Sequence, residues 1–97
     1  MKILRTAVVG LGRIGWEYHL PQVGAHEGYE LAAVVDPLQE RLDEAAAEFG
    51  VRGYRDYKVL LANEVLDLVV IASPTPFHAE QAVRAFENGC DVFCDKP

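Results

Sequence analysis

Positive charge, cysteine and long apolar runs are all scarce in this chain, and each scarcity excludes a class of protein. Nine Lys and Arg stand against fifteen Asp and Glu, for a formal net charge of −6. That balance lacks the basic surface that nucleic acid or an anionic membrane requires. No apolar run approaches the roughly 20 residues of a membrane span. The first seven residues, Met1 to Ala7, break their apolar stretch at Arg5 and offer no small-residue cleavage site, so they do not read as a signal peptide. Cys90 and Cys94 are the two cysteines. Their spacing is neither a redox CxxC pair nor part of a metal-binding set, and both are expected to be buried, reduced thiols of a cytoplasmic protein. The acids Glu40, Asp43, Glu44 and Glu48 fall on one face of a helical segment and read as a solvated surface, not a metal site.

What is present is ordinary for a soluble domain: 51% hydrophobic and 25% charged residues. At 97 residues, against a usual domain length of about 150, residues 1–97 form a single domain. Short continuous apolar runs alternate with segments of helical period. Ile3 to Val9 reads as a buried strand ending at Gly10. Arg13 to His26 reads as a helix opened by glycines and kinked or interrupted at Pro21. Leu31 to Val35 is a second strand, continuous enough for a sheet covered on both faces. Pro37 suits the first turn of the next helix, in which Leu38, Leu42, Ala45 and Phe49 face inward and Gly50 caps the end. Val51 to Tyr54 forms a short third strand, and Asp56 caps a helix running to about Ala62. Leu66 to Ala72 is a central strand. A further helix turns Ala79, Ala82, Val83 and Phe86 inward, and Asp91 to Cys94 is the last strand. This βαβαβαβαβ order calls for right-handed crossovers and a doubly wound, Rossmann-type parallel α/β sheet of five strands.

Gly10-Leu11-Gly12-Arg13-Ile14-Gly15 is a G-x-G-x-x-G that follows a strand, opens a helix and precedes an acid, Asp36, by 21 residues. Those are the contextual demands of the dinucleotide-binding fingerprint. Gly10 permits the tight turn, Gly12 lets a pyrophosphate approach bare backbone, and Gly15 permits close packing of helix on sheet. Backbone N–H groups and the positive end of the helix dipole would hold the phosphates. Arg13 stands ready either as a further phosphate contact or as a surface cation. Asp36 suits the hydroxyls of an adenosine ribose and repels a 2′-phosphate. With Pro37 and Leu38 following, Arg41 is the one nearby cation that would relieve that repulsion, so NAD is expected over NADP. His78 lies on the carboxyl side of a strand, facing a cofactor or packing locally. His19 and His26 read as surface or packing residues. Lys96, beyond the last strand, has the chemistry for proton transfer at an alcohol or carbonyl carbon, although spacing alone leaves it a terminal surface lysine.

The joint order of several segments resembles the Gfo/Idh/MocA oxidoreductases. The segments are the glycine loop, Val34-Val35-Asp36-Pro37, Tyr54-Arg55-Asp56-Tyr57, the run from Asp67 through Pro74-Thr75-Pro76-Phe77-His78, and Asp91-Val92-Phe93-Cys94-Asp95-Lys96-Pro97. The resemblance implies NAD(P)-dependent hydride transfer at a hydroxyl or carbonyl carbon of a sugar, cyclitol or related polyol. It also implies that Ala72, Ser73, Pro74 and Thr75 lie along the nicotinamide ribose. Lys96 matches the lysine of the family's Glu-Lys-Pro motif, which contacts substrate and nicotinamide, and Asp95 replaces the usual glutamate. Family members continue to a sixth strand and an α/β substrate domain. A chain stopping at Pro97 is therefore expected to be truncated and inactive alone, with the unpaired edge of its last strand open to self-association. The alternative is a stand-alone nucleotide-binding module without catalysis.

Overall fold

The computed structural model describes residues 3–12 and 15–94, apart from the side chains of Glu17, Tyr18 and Thr75. Five strands alternate with helices: β1 (Leu4–Val9), β2 (Tyr29–Val35), β3 (Arg52–Tyr54), β4 (Leu68–Ile71) and β5 (Asp91–Cys94). All pair in parallel, in the order β3-β2-β1-β4-β5. The β-branched residues of β1, β2 and β4 suit a pleated surface packed on both sides. One irregularity, between Thr6 and Ala7, shifts the β1–β2 register by a residue.

Helices cover both faces. On one side α1 (Leu20–Ala25) and α2 (Gln39–Phe49) bury Leu20, Val23, Leu42 and Ala45 against Val8, Val34 and Val70. On the other, α3 (Tyr57–Asn63) and α4 (His78–Glu87) bring Tyr57, Leu60 and Ala85 against Ala7, Val35, Val69 and Ile71. Leu20, Leu60 and Ile71 are fully buried, and each such side chain contributes roughly 1.5–3 kcal/mol. Ala and Glu make α2 a good helix former. It ends on Gly50 in the left-handed conformation, with φ 65°. Asp56 caps α3, its carboxylate accepting from the Lys58 N–H at 2.8 Å.

The segment after the glycine loop begins as a π-helical turn, Gly15–His19, and becomes α-helical at Leu20. The change falls where Pro21, in the first turn of α1, has no N–H to donate. No helix among the described residues is long and apolar enough to cross a membrane.

Three expectations need correction. Pro37 lies before α2, whose N-cap is Leu38, and Leu38 is 61% exposed. In α4 the inward residues are His78, Gln81, Ala82 and Ala85, whereas Val83 and Phe86 are 56% and 61% exposed and Ala79 is exposed. Residues 79, 83 and 86 share a helical stripe, but packing on the sheet turns the neighbouring stripe inward, and of the expected inward residues only Ala82 lies on it. Cys90 is buried as expected, but Cys94 is exposed at the end of the edge strand β5.

Candidate functional site

β1 and β4 lie side by side in the middle of the sheet, yet the helices that follow them pack on opposite faces. A crevice therefore opens at their carboxyl ends, the place where open parallel sheets receive ligands.

The three glycines there do different things. Gly10 has φ +95°, and a Cβ on it would stand 2.7 Å from the Ser73 nitrogen. The loop after β4 thus closes directly onto the turn out of β1. A Cβ on Gly15 would stand 1.9 Å from the Gly10 carbonyl oxygen, so only glycine allows the helix so near the strand end. Gly12 is exposed, lacks a positive φ, and would place a Cβ with nothing within 4 Å. Neither conformation nor packing asks for glycine at that position. What it does is leave bare backbone beside open space, which fits the approach of a phosphate.

Asp36 is buried, at 7% exposure. Its Oδ2 accepts from the Leu11 N–H at 2.8 Å, and its Oδ1 from the Leu38 N–H at 2.9 Å. One carboxylate thereby ties the glycine loop to the end of β2. Each oxygen retains acceptor capacity for a further donor. The Asp36 N–H donates to the Tyr54 carbonyl at 3.1 Å, extending the β2–β3 ladder. Arg41 lies 3.9 Å from Glu44, on the surface of α2. A second cation stands at this end: exposed Arg55 donates from Nε to the Pro37 carbonyl at 3.2 Å. Arg41 is therefore not the one cation at this end. The sequence signal for Arg55 was its place just past the strand beside β2.

On the other side of the crevice, the Ala72 N–H donates to the Val9 carbonyl at 2.8 Å, and Ala72 and Ser73 are half-buried. His78 Nε2 lies 2.5 Å from the Ser73 carbonyl oxygen, and the Ser73 hydroxyl donates to Gln81 Oε1. The Tyr57 hydroxyl donates to the Gln81 carbonyl at 2.8 Å. His78 thus holds the loop instead of standing free in the crevice. Gln81 escaped notice in the sequence, although it lies one helical turn beyond His78. Burial, and secondarily the Cys90 thiol, pushes the Tyr57 phenol up to about 12. Pro74 is exposed, and Thr75 opens a short 3₁₀ turn, Thr75–Phe77. Arg13, Ile14 and Lys96 lie outside the described residues. His19 is buried and packs edge-on against Phe93, while His26 Nδ1 accepts from the Gly28 N–H. Both are packing or surface residues.

A groove of about 750 Å³ lies at the opposite, amino end of the sheet, lined by Arg5, Arg52, Asn63 and Glu64 among others. Its charged groups pair with one another, so the crevice at the carboxyl end is the better candidate.

A sequence model of the oxidoreductase family with an NAD-binding Rossmann fold, GFO_IDH_MocA, matches residues 4–97. The chain belongs to this family. It is 36% identical to scyllo-inositol 2-dehydrogenase (NAD(+)) of Bacillus subtilis over 97% of its own length and 28% of that protein's. It also resembles the crystal structure of Lactobacillus casei scyllo-inositol dehydrogenase with bound NAD(H) and scyllo-inositol. There the TM-score is 0.92 at 32% identity, covering 99% of this chain and 28% of the other. A 3-ketoreductase from Actinomadura kijaniata in complex with NADP and TDP-benzene matches with a TM-score of 0.90 at 29% identity, covering 99% and 30%. The Gfo/Idh/MocA chain thus spans under a third of the length of these relatives. It is an NAD(P)-binding Rossmann domain of an oxidoreductase family.

Proposed function

We propose that this Gfo/Idh/MocA domain binds NAD in preference to NADP across the carboxyl ends of β2, β1 and β4. It serves a dehydrogenase that moves hydride to or from a hydroxyl or carbonyl carbon of an inositol, sugar or related polyol. Cofactor binding is proposed for these 97 residues, and hydride transfer for the whole protein. Gly10, Gly12, Arg13, Ile14 and Gly15 form the pyrophosphate loop. Asp36 accepts from the adenosine ribose hydroxyls. Ala72, Ser73, Pro74 and Thr75 line the nicotinamide ribose, with His78 holding that loop through the Ser73 carbonyl. Lys96 is the catalytic residue, exchanging a proton with the substrate oxygen. The nicotinamide, when bound, supplies the hydride chemistry.

The observation that carries this reading is Gly12, a glycine that the fold itself does not require, beside a carboxylate already oriented by two backbone N–H groups. Asp36 also supports the preference for NAD. Exchanging its bonds to ribose hydroxyls for repulsion by a 2′-phosphate removes charge-assisted hydrogen bonds, which amounts to about tenfold in affinity. Trp16, packed edge-on against Phe49 at 6.1 Å, stands just past the loop and reports on it by fluorescence. Titration with NADH and NADPH should quench or shift its emission with both, NADH binding more tightly. A folded protein whose emission and calorimetric heat respond to neither overturns the reading.

A further inference from the structure

The end of β3 supplies a group that the fingerprint does not include. β2 and β3 pair in register at Val35 and Tyr54, and one more bond, from the Asp36 N–H to the Tyr54 carbonyl, carries the ladder past both strands. The next residue of each strand is therefore Asp36 on one side and Arg55 on the other. Arg55 is exposed, but its stem is tied down: Nε donates to the Pro37 carbonyl at 3.2 Å. That bond leaves the two terminal NH₂ groups of the guanidinium for a ligand.

The loop has little else to offer an anion. Pro37 carries no N–H, and the Leu38 N–H already donates to Asp36 Oδ1. Arg41 lies toward Glu44 along α2. The carboxylate that disfavours a phosphate at the ribose and the cation that favours one thus stand on adjacent strand ends.

We infer that Arg55 receives a phosphate on the 2′-oxygen of the adenosine ribose and sets how strongly this chain discriminates between the two nicotinamide dinucleotides. The inference rests on the cofactor reading above and deepens it. Asp36 makes the unphosphorylated ribose the better ligand, and Arg55 narrows that margin by forked, charge-assisted hydrogen bonds to the phosphate. An Arg anchored at Nε loses less freedom on binding than a mobile surface cation.

The test uses two half-ligands that differ by that phosphate alone: adenosine 5′-monophosphate and adenosine 2′,5′-bisphosphate. Their affinities are measured by calorimetry, and by displacement of NADH, on the unmodified protein, Arg55→Ala and Arg55→Lys. Arg55→Ala should weaken the bisphosphate about tenfold while the monophosphate changes by no more than about twofold. Arg55→Lys should recover only part of the loss, because it keeps the charge without the fork. Equal loss for both ligands, or no loss for either, overturns the inference and leaves the cofactor reading intact. If the unmodified, folded protein binds neither NADH nor the monophosphate, the cofactor reading fails and the role of Arg55 fails with it.

Discussion

The sheet encloses a carboxylate near each of its ends, and the two are held in opposite ways. At the amino end the Glu64 side chain is 7% exposed and is surrounded by side-chain donors. The Tyr54 hydroxyl donates to it at 2.5 Å, Arg5 at 3.2 Å and Arg52 at 3.3 Å. At the carboxyl end Asp36 is 7% exposed, and among the described residues its carboxylate accepts from two backbone N–H groups. The first acid closes a network across β1, β3 and the end of α3, and its charge is answered within the protein. The second is oriented, among the described residues, by backbone donors instead of cations and sits beside a glycine with open space above it. Burial of a charge is common to both, so burial does not mark a binding site. The kind of partner differs: side-chain cations complete the acid at the amino end, whereas backbone donors fix Asp36 in place and leave it the acceptor capacity that the proposed ribose contact uses.

This contrast is sharpened most by Gly15→Ala, which attacks the loop where it is structural. A Cβ 1.9 Å from the Gly10 carbonyl oxygen is a backbone clash that no rotamer relieves. Urea denaturation should show a loss above about 4 kcal/mol, or no folded protein. A stable Gly15→Ala protein would mean that the close packing of helix on strand is not essential. Next in size is Glu64→Ala at the amino end. It strips the acceptor from three donors at once, yet Arg5 and Arg52 are 42% and 70% exposed and water compensates them. The loss should be about 2 kcal/mol, with NADH affinity unchanged. If a folded Glu64→Ala protein binds NADH much more weakly, the division of labour between the two ends is broken.

Tyr57→Phe should cost less, about 1 kcal/mol for its bond to the Gln81 carbonyl, and it carries a pH signature. The folded protein holds the phenol proton up to about 12, mainly because the ring is buried, against 10.0 for an ordinary tyrosine in the unfolded chain. The folded state therefore binds this proton more tightly. Its contribution is fully present below pH 10 and is lost as pH rises toward about 12. Urea midpoints at pH 9 and pH 11 should converge between the unmodified and Tyr57→Phe proteins as the pH rises. A constant gap would mean that Tyr57 titrates as an exposed phenol does.

Much of this architecture was legible in the residues. The alternation of apolar runs specified strand order along the chain, Gly50 and Asp56 marked their helix ends, and the distinct duties of Gly10 and Gly15 followed from the fingerprint. The phase of α4 was not legible, because Val83 and Phe86 form as good an apolar stripe as Ala82 and Ala85 do, and only contact with the sheet separates them. The exposure of Cys94 depends on β5 being an edge strand, which is a fact of sheet order. Arg55 and Gln81 were missed for a related reason. Sequence spacing from Asp36 points only along the chain, whereas Arg55 reaches Pro37 across a strand pair, and Gln81 reaches Ser73 from the following helix. Sequence proximity points to the residues of the fingerprint, and lateral proximity brings Arg55 and Gln81 against the loops that carry it.

The glycine that the fold can spare offers the most direct test. Gly12→Ala introduces a methyl group that meets nothing within 4 Å beyond its own chain neighbours, so its urea-denaturation free energy should stay within about 0.5 kcal/mol of the unmodified protein. If bare backbone at this position exists to admit a pyrophosphate, the same substitution should weaken NADH by at least about tenfold in a parallel titration of Trp16 fluorescence. NADH binding to Gly12→Ala as tightly as to the unmodified protein would contradict the assignment of this crevice as the cofactor site.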